Sequence, residues 1–255
     1  MKLAQTVVYG LKGATRSGIG YRLNRTAKYA AGLYFDLFVR TYRSEGMVFT
    51  IPAAYTSREM RGKFTVDTYE YPERTLIKRY LPHNACVLEL GACIGVVSCV
   101  INSLLDNRDL HVAVEANPLL MPTLEANRMA NGARFHAVNA VVTRQPSAMI
   151  STDADMDSNQ VVASGTPVPT TTVEALEAVA GEAFSALIMD IEGGEYEFCR
   201  ENPMLLRQID VAIIEFHPLA FGEARLGELY LMLASAGLER RETILTVECW
   251  LRVED

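Results

Sequence analysis

An apolar run that ends in an acid and then turns on glycines, Val87-Leu88-Glu89-Leu90-Gly91-Ala92-Cys93-Ile94-Gly95, is answered by a second apolar run, Val112-Ala113-Val114-Glu115-Ala116-Asn117-Pro118. Few folds accommodate this pair. The first run reads as a strand, and the apolar positions Val96, Val97, Val100, Ile101, Leu104 and Leu105 that follow have helical spacing. Glycines at 91 and 95 permit a tight turn and a close approach of ligand to backbone, and the start of the helix offers amide donors. The second strand ends in Glu115, an acceptor suited to the two hydroxyls of a ribose. Together these residues describe an adenosine site in an α/β sheet.

What the turn lacks narrows the ligand. A dinucleotide fold calls for G-x-G-x-x-G, whereas Cys93 occupies the second glycine position and only Gly91 and Gly95 frame the loop. An NAD-dependent oxidoreductase is therefore disfavoured, and the lysine pattern of a P-loop is absent. Glu89 lies just before the turn, where a phosphate is repelled and a cationic amino group is welcome. S-adenosylmethionine fits this chemistry better than NAD or ATP. In that reading Glu89 meets the methionine amino group, Gly91, Ala92, Cys93 and Gly95 wrap the methionine side, Glu115 holds the ribose, and Ala116 after it belongs to the same cofactor site.

The remaining pattern alternates strand and helix. Strands are expected at about 85–90, 110–115, 135–142, 186–190 and 211–216, with helices near 95–105, 118–131, 173–180, 193–201 and 223–236. A C-terminal hairpin from Leu238 to Leu251 would close a doubly wound, mostly parallel sheet. Upstream, Met47–Ile51 and Phe64–Val66 read as short strands and Pro72–Tyr80 as a helix. Residues 143–169 are rich in Ser, Thr, Asp, Gly and Pro, which predicts a loop or short hairpins on the ligand side, near the acceptor.

Charge separates the N-terminal arm from the rest. Residues 1–35 contain six basic side chains and no acid, while the whole chain carries −7. Arg25–Tyr42 has helical spacing, with Ala27, Ala30, Ala31, Tyr34, Leu37 and Phe38 on one face and Asn24 as N-cap. Such a helix packs on the parent domain or a dimer partner, or lies on an anionic membrane. The division expected is 1–68 for the arm with short strands and 69–255 for the α/β domain. The acidic remainder and the lack of a base-stacking motif speak against nucleic-acid binding. No apolar run approaches the ~20 residues of a membrane span, and a signal peptide is not evident, so a cytoplasmic location is expected. Five cysteines without C-x-x-C pairing indicate neither a disulfide framework nor a zinc site.

From about Tyr69 to Gly237 the chain resembles the FkbM-type S-adenosylmethionine-dependent methyltransferases. The landmarks are Glu89 to Gly95, Glu115 to Pro118 followed by Leu124 and Asn127, Asn139-Ala140, Thr170 to Leu176, Asp190-Ile191-Glu192-Gly193-Gly194-Glu195, and Glu215-Phe216-His217. The family's counterpart of the Asp190 block is similar to Lys-Ile-Asp-Val-Glu-Gly-Ala-Glu. Here Ile188 stands at the lysine, and Cys93 replaces the usual turn asparagine. The resemblance implies a Rossmann-like class I methyltransferase with a seven-stranded sheet. It also implies Asn139 with Ala140 beside the adenine, and an oxygen acceptor on a sugar, glycolipid or secondary metabolite. The lost lysine and the turn cysteine leave one competing reading, a scaffold that binds cofactor weakly or not at all and is recruited through its basic arm.

Methyl transfer asks for an in-line nucleophile, and for a base only when the acceptor is a hydroxyl. Asp190 ends the fourth core strand at the usual ligand edge and can orient the acceptor or accept its proton. His217, held extended by Pro218, is the best base among four histidines, with an ordinary pKa near ~6.5. Asp190 with Glu192, Glu195 or Glu215 would suit a divalent ion. Positions 190, 192 and 195 straddle a strand-to-helix turn and need not converge, and acids at a helix start also suit its dipole, so no metal is assigned.

Overall fold

The structure is a computed structural model in which residues 19–39, 41–152, 156 and 160–253 are described, with side chains from 26 onward. It divides into two compact units, Met1–Tyr71 with Ala154–Met156, and Pro72–Asp153 with Asp157–Asp255. The basic residues Lys2, Lys12 and Arg16 lie outside the described residues, and so do 153–155 and 157–159 of the expected loop. Among the described residues no helix is long and apolar enough to cross a membrane.

In the first unit, helix α1 (Ile19–Tyr34) runs through one π-helical turn (Phe35–Val39) into the antiparallel hairpin β1 (Thr41–Ser44) and β2 (Met47–Thr50). Helix α2 (Arg58–Thr65) follows, capped by Ser57, whose Oγ accepts the Met60 N–H at 3.2 Å. The two helices touch through glycines: a Cβ on Gly32 would lie 1.8 Å from the Arg58 carbonyl oxygen, and one on Gly62 2.1 Å from that of Lys28. Asp36 accepts hydrogen bonds from Arg58 and Arg61 across this contact. Two expectations are corrected. Helix α1 begins at Ile19, not near Arg25, so Asn24 lies within it, and the chain is already in β1 at Thr41. Among the described side chains here Gly32 and Phe35 are the buried positions, and Tyr34, Leu37 and Phe38 are exposed. Phe64–Val66 is not a strand, because Ser57 starts a helix that buries Met60 and Phe64 on one side, beside Phe35, Tyr42 and Tyr69. Packing here overrides the strand preference of aromatic and β-branched residues.

The second unit opens with α3 (Tyr71–Tyr80). Then come β3 (Val87–Leu90), α4 (Val96–Leu104), β4 (His111–Glu115), α5 (Met121–Ala130) and β5 (His136–Asn139). Four short strands follow, β6 (Val141–Val142), β7 (Ala148–Ile150), β8 (Thr166–Val168) and β9 (Thr170–Thr171). The expected strand 135–142 is thus interrupted at Ala140, and β6 pairs with β9 instead of extending β5. The chain continues through α6 (Val173–Ala180), β10 (Ala186–Met189), α7 (Glu195–Glu201), α8 (Pro203–Gln208) and β11 (Val211–Glu215). It closes with α9 (Pro218–Phe221), α10 (Glu223–Ser235), β12 (Leu238–Ile244) and β13 (Val247–Arg252).

Seven strands form one sheet in the order β12-β13-β11-β10-β3-β4-β5, parallel except for β13, which runs antiparallel to both its neighbours. This is the Rossmann-like, mostly parallel sheet flanked by helices that the strand pattern predicts. Its central strands read Val-Leu-Glu-Leu, Ala-Leu-Ile-Met and Val-Ala-Ile-Ile-Glu, near-continuous apolar runs because both faces are covered. From β3 the chain winds outward to β4 and β5, then returns to β10 on the other side of β3. That reversal opens a crevice at the carboxyl ends of β3 and β10.

Candidate active site

The turn after β3 is built on backbone that only some residues tolerate. Gly91 has φ +87°, Cys93 +49° and Gly95 +80°. A Cβ on Gly91 would sit 1.7 Å from the Asp190 carbonyl oxygen, so this glycine is what lets β3 and β10 meet at the crevice. Gly91 and Ala92 both donate to the Val114 carbonyl, at 2.9 and 3.0 Å, which draws the turn over the end of β4. There the Glu115 carboxylate accepts the Cys93 N–H at 2.7 Å and the Asn117 N–H at 2.6 Å. Burial pushes the Glu115 pKa up to about 6, although both N–H groups pull it down.

Neighbouring amides brace the same edge. Asn127, buried in α5, donates from Nδ2 to the Ile94 carbonyl at 2.8 Å. Asn139 donates to the carbonyls of Glu115 and Ala116 at 2.8 and 3.0 Å, and the Ala140 N–H reaches Glu115 O at 3.2 Å. Gly91, Ala92, Cys93, Gly95, Glu115, Ala116, Asn139 and Ala140 thus gather at one edge of the sheet.

Glu89 is paired within the sheet. Its carboxylate is 2% exposed and meets His111 Nε2 at 3.0 Å, and His111 is itself fully buried against Phe135. The two share a face of the sheet because Glu89 pairs with Ala113, two residues beyond His111. Cys86, Cys99, Cys199 and Cys249 are buried thiols, each pushed up to about 12 chiefly by burial, and Cys93 alone of the five is half-buried.

Across the crevice, β10 ends at Met189 and the Asp190 N–H donates to Leu90 O at 3.0 Å. Positive φ at Glu192 (+54°) and Gly193 (+108°) folds the turn back on itself before α7. Side chains that need not have converged therefore do converge. His217 Nδ1 lies 2.9 Å from Glu195 Oε1, and its Nε2 is 3.4 Å from Glu192 Oε2 and 3.7 Å from Asp190 Oδ1. Glu195 also accepts the Gly193 N–H at 3.0 Å and is 0% exposed. Glu215, by contrast, accepts the Thr246 hydroxyl at 2.6 Å.

The His217 imidazole lies among acids that act on its titration. Burial lowers the His217 pKa, but the hydrogen bond and charge of Glu195, with Glu192 and Glu215, outweigh it and raise the value to about 9. The carboxyl groups around the ring favour its protonated form. In the sequence Glu195 reads as a helix-start acid, since nothing in its spacing from His217 reveals that α7 and the end of β11 meet. The one available signal is that both follow adjacent parallel strands and so emerge at one edge.

A family model described as the methyltransferase FkbM domain matches residues 89–239, more than half of the chain. No curated protein matches the chain in sequence. Among solved structures, M. jannaschii TYW2 in complex with AdoMet aligns at TM-score 0.47 and 12% identity, over 84% of this chain and 86% of that one. The precorrin-6y C5,15-methyltransferase of Geobacter metallireducens aligns at TM-score 0.45 and 12% identity, over 70% of this chain and 88% of that one.

Proposed function

This chain belongs to the FkbM methyltransferase family, and from that premise we propose that it moves the methyl group of S-adenosylmethionine to a hydroxyl of a sugar, glycolipid or secondary metabolite. The observation that carries the reading is the juxtaposition of the glycine turn with the Asp190–His217 cluster, joined where Gly91 meets the Asp190 carbonyl.

The residues present fit the cofactor. Glu115 is an acceptor already oriented by two backbone amides, the right chemistry for ribose hydroxyls. Gly91, Ala92, Cys93 and Gly95 shape the turn that borders the methionine portion, and Ala116, Asn139 and Ala140 border the base. When bound, the cofactor supplies an electrophilic methyl group on sulfonium. Asp190 then orients the incoming hydroxyl, and carboxyl groups of the cluster take up the proton that the hydroxyl releases. His217 is a positioning group: Glu195 holds its Nδ1, and Nε2 faces Asp190 and Glu192. Most of the acceleration required of this arrangement is alignment.

The test is transfer of labelled methyl from S-adenosylmethionine to a panel of hydroxylated sugars, glycolipids and polyketides. Label on an acceptor oxygen, lost in Asp190→Asn while cofactor binding persists, supports the reading. Transfer only to nitrogen or carbon acceptors refutes it.

A further inference from the structure

We propose that Asp190, Glu195 and His217 form a binding site for a divalent transition-metal ion, with Glu192 beside it. Each of the three offers a ligand atom, and these atoms all lie within 4.8 Å of one another. They come from separate elements: Asp190 follows β10, Glu195 opens α7 and His217 follows β11.

Acids gathered at a turn are common without an ion, and the second observation concerns Glu195. Its side chain is 0% exposed and one oxygen is engaged by Gly193 and His217. The other, Oε2, is buried with no hydrogen-bond partner among the described residues. A buried carboxyl oxygen left without a partner is costly unless a cation or donor completes it. The turn also holds unusual backbone to bring the acids inward, with φ of +54° at Glu192 and +108° at Gly193. A Cβ on Gly193 would lie 2.5 Å from that of Ala220, so the fold is closely built around this bend.

The donor set indicates the ion. Oxygen ligands suit magnesium, calcium and manganese, and imidazole adds a preference for transition metals, so Mn2+ satisfies both. An ion there would stand at the acceptor side of the crevice, where it could polarise a hydroxyl oxygen and lower its pKa, leaving Glu192 to take the proton. The site itself rests on the four side chains and not on the methyl-transfer reading, so either can fail alone.

The experiment is titration of the full chain with Mn2+ at pH 8, followed by electron paramagnetic resonance and calorimetry, without cofactor. One ion per chain in the wild type is expected, with affinity at least about tenfold weaker in Glu195→Gln and in Asp190→Asn, as loss of a ligating carboxylate implies. Glu195 is fully buried; should its variant fail to fold by circular dichroism, Asp190→Asn, at a part-exposed position, decides. No binding by the wild type at millimolar Mn2+, or binding unchanged in the folded variants, overturns the proposal.

Discussion

The Glu115 carboxylate accepts the backbone N–H of Cys93 at 2.7 Å, so the acid at the end of β4 holds the turn at the end of β3. One side chain therefore shapes the glycine turn and presents an acceptor beside it. Glu115→Ala removes a charged hydrogen-bond acceptor from two amides and, in the proposed complex, from the ribose. S-adenosylhomocysteine affinity should fall by about 10- to 100-fold, in line with ~1.5–3 kcal/mol for hydrogen bonds to charged groups. Calorimetry reads this directly, and unchanged affinity would remove Glu115 from the site.

The same group predicts a pH dependence. Its folded pKa of about 6 lies above the ordinary 4.5, and in the proposed complex only the ionised form would accept both ribose hydroxyls. Affinity should be complete above about pH 7 and decline as pH falls through 6, by about tenfold at pH ~5. In Glu115→Gln that decline should vanish. A decline of equal size in the variant would assign the titration elsewhere.

Cys93 adopts φ +49°, a conformation that disfavours most side chains and suits asparagine better. Cys93→Asn should raise stability by about 0.5–1 kcal/mol in urea denaturation. A loss of stability would mean that the thiol makes contacts worth more than the strain.

Two glycines with similar backbone separate conformation from contact. Gly91 (φ +87°) faces the Asp190 carbonyl, whereas Gly181 (φ +76°), ending α6, has open space within 4 Å of where a methyl group would sit. Alanine at 181 should cost about 1–2 kcal/mol from the left-handed backbone alone. At 91 the collision adds to that, for a total of about 3–5 kcal/mol. Equal losses would contradict the close approach of β3 and β10.

Glu89 and His111 form a buried pair at 3.0 Å. His111→Leu leaves a carboxyl group without its partner in the core and should cost about 3–5 kcal/mol, while Glu89→Leu with His111→Leu should recover much of the loss. Additive losses in the double variant would mean that the two side chains are not coupled.

The core sheet is legible in the sequence because β3, β4, β10 and β11 are mostly apolar runs, each followed a short way on by glycine, asparagine or proline, signals that are local. Glu115 at the end of β4 and the glycine turn can be read for the same reason: each lies in one short segment. The first unit is harder, because whether Phe64 lies on a strand or a helix depends on what covers it, and whether Tyr34 or Phe35 is buried depends on where Gly32 and Gly62 bring two helices together. Glu89 and Glu195 show the limit most plainly. Both are acids at plausible ligand positions in the chain, and each proves to be matched to a histidine 22 residues away, one in the core and one at the crevice. Register and backbone sign decide such partners, and neither is written in residue type.

The central claim is that the glycine turn after β3 and the end of β4, beside the crevice, bind S-adenosylmethionine, and thermal unfolding with S-adenosylhomocysteine, with NAD as control, tests it most directly. At about a hundredfold excess over the dissociation constant, linkage predicts ~2.7 kcal/mol of stabilisation, a rise in Tm of roughly 5–10 °C. A rise with S-adenosylhomocysteine alone is the expected result. An equal rise with NAD would contradict the assignment of the cofactor, and no rise with either ligand would contradict the account and favour a methyltransferase fold kept as a scaffold.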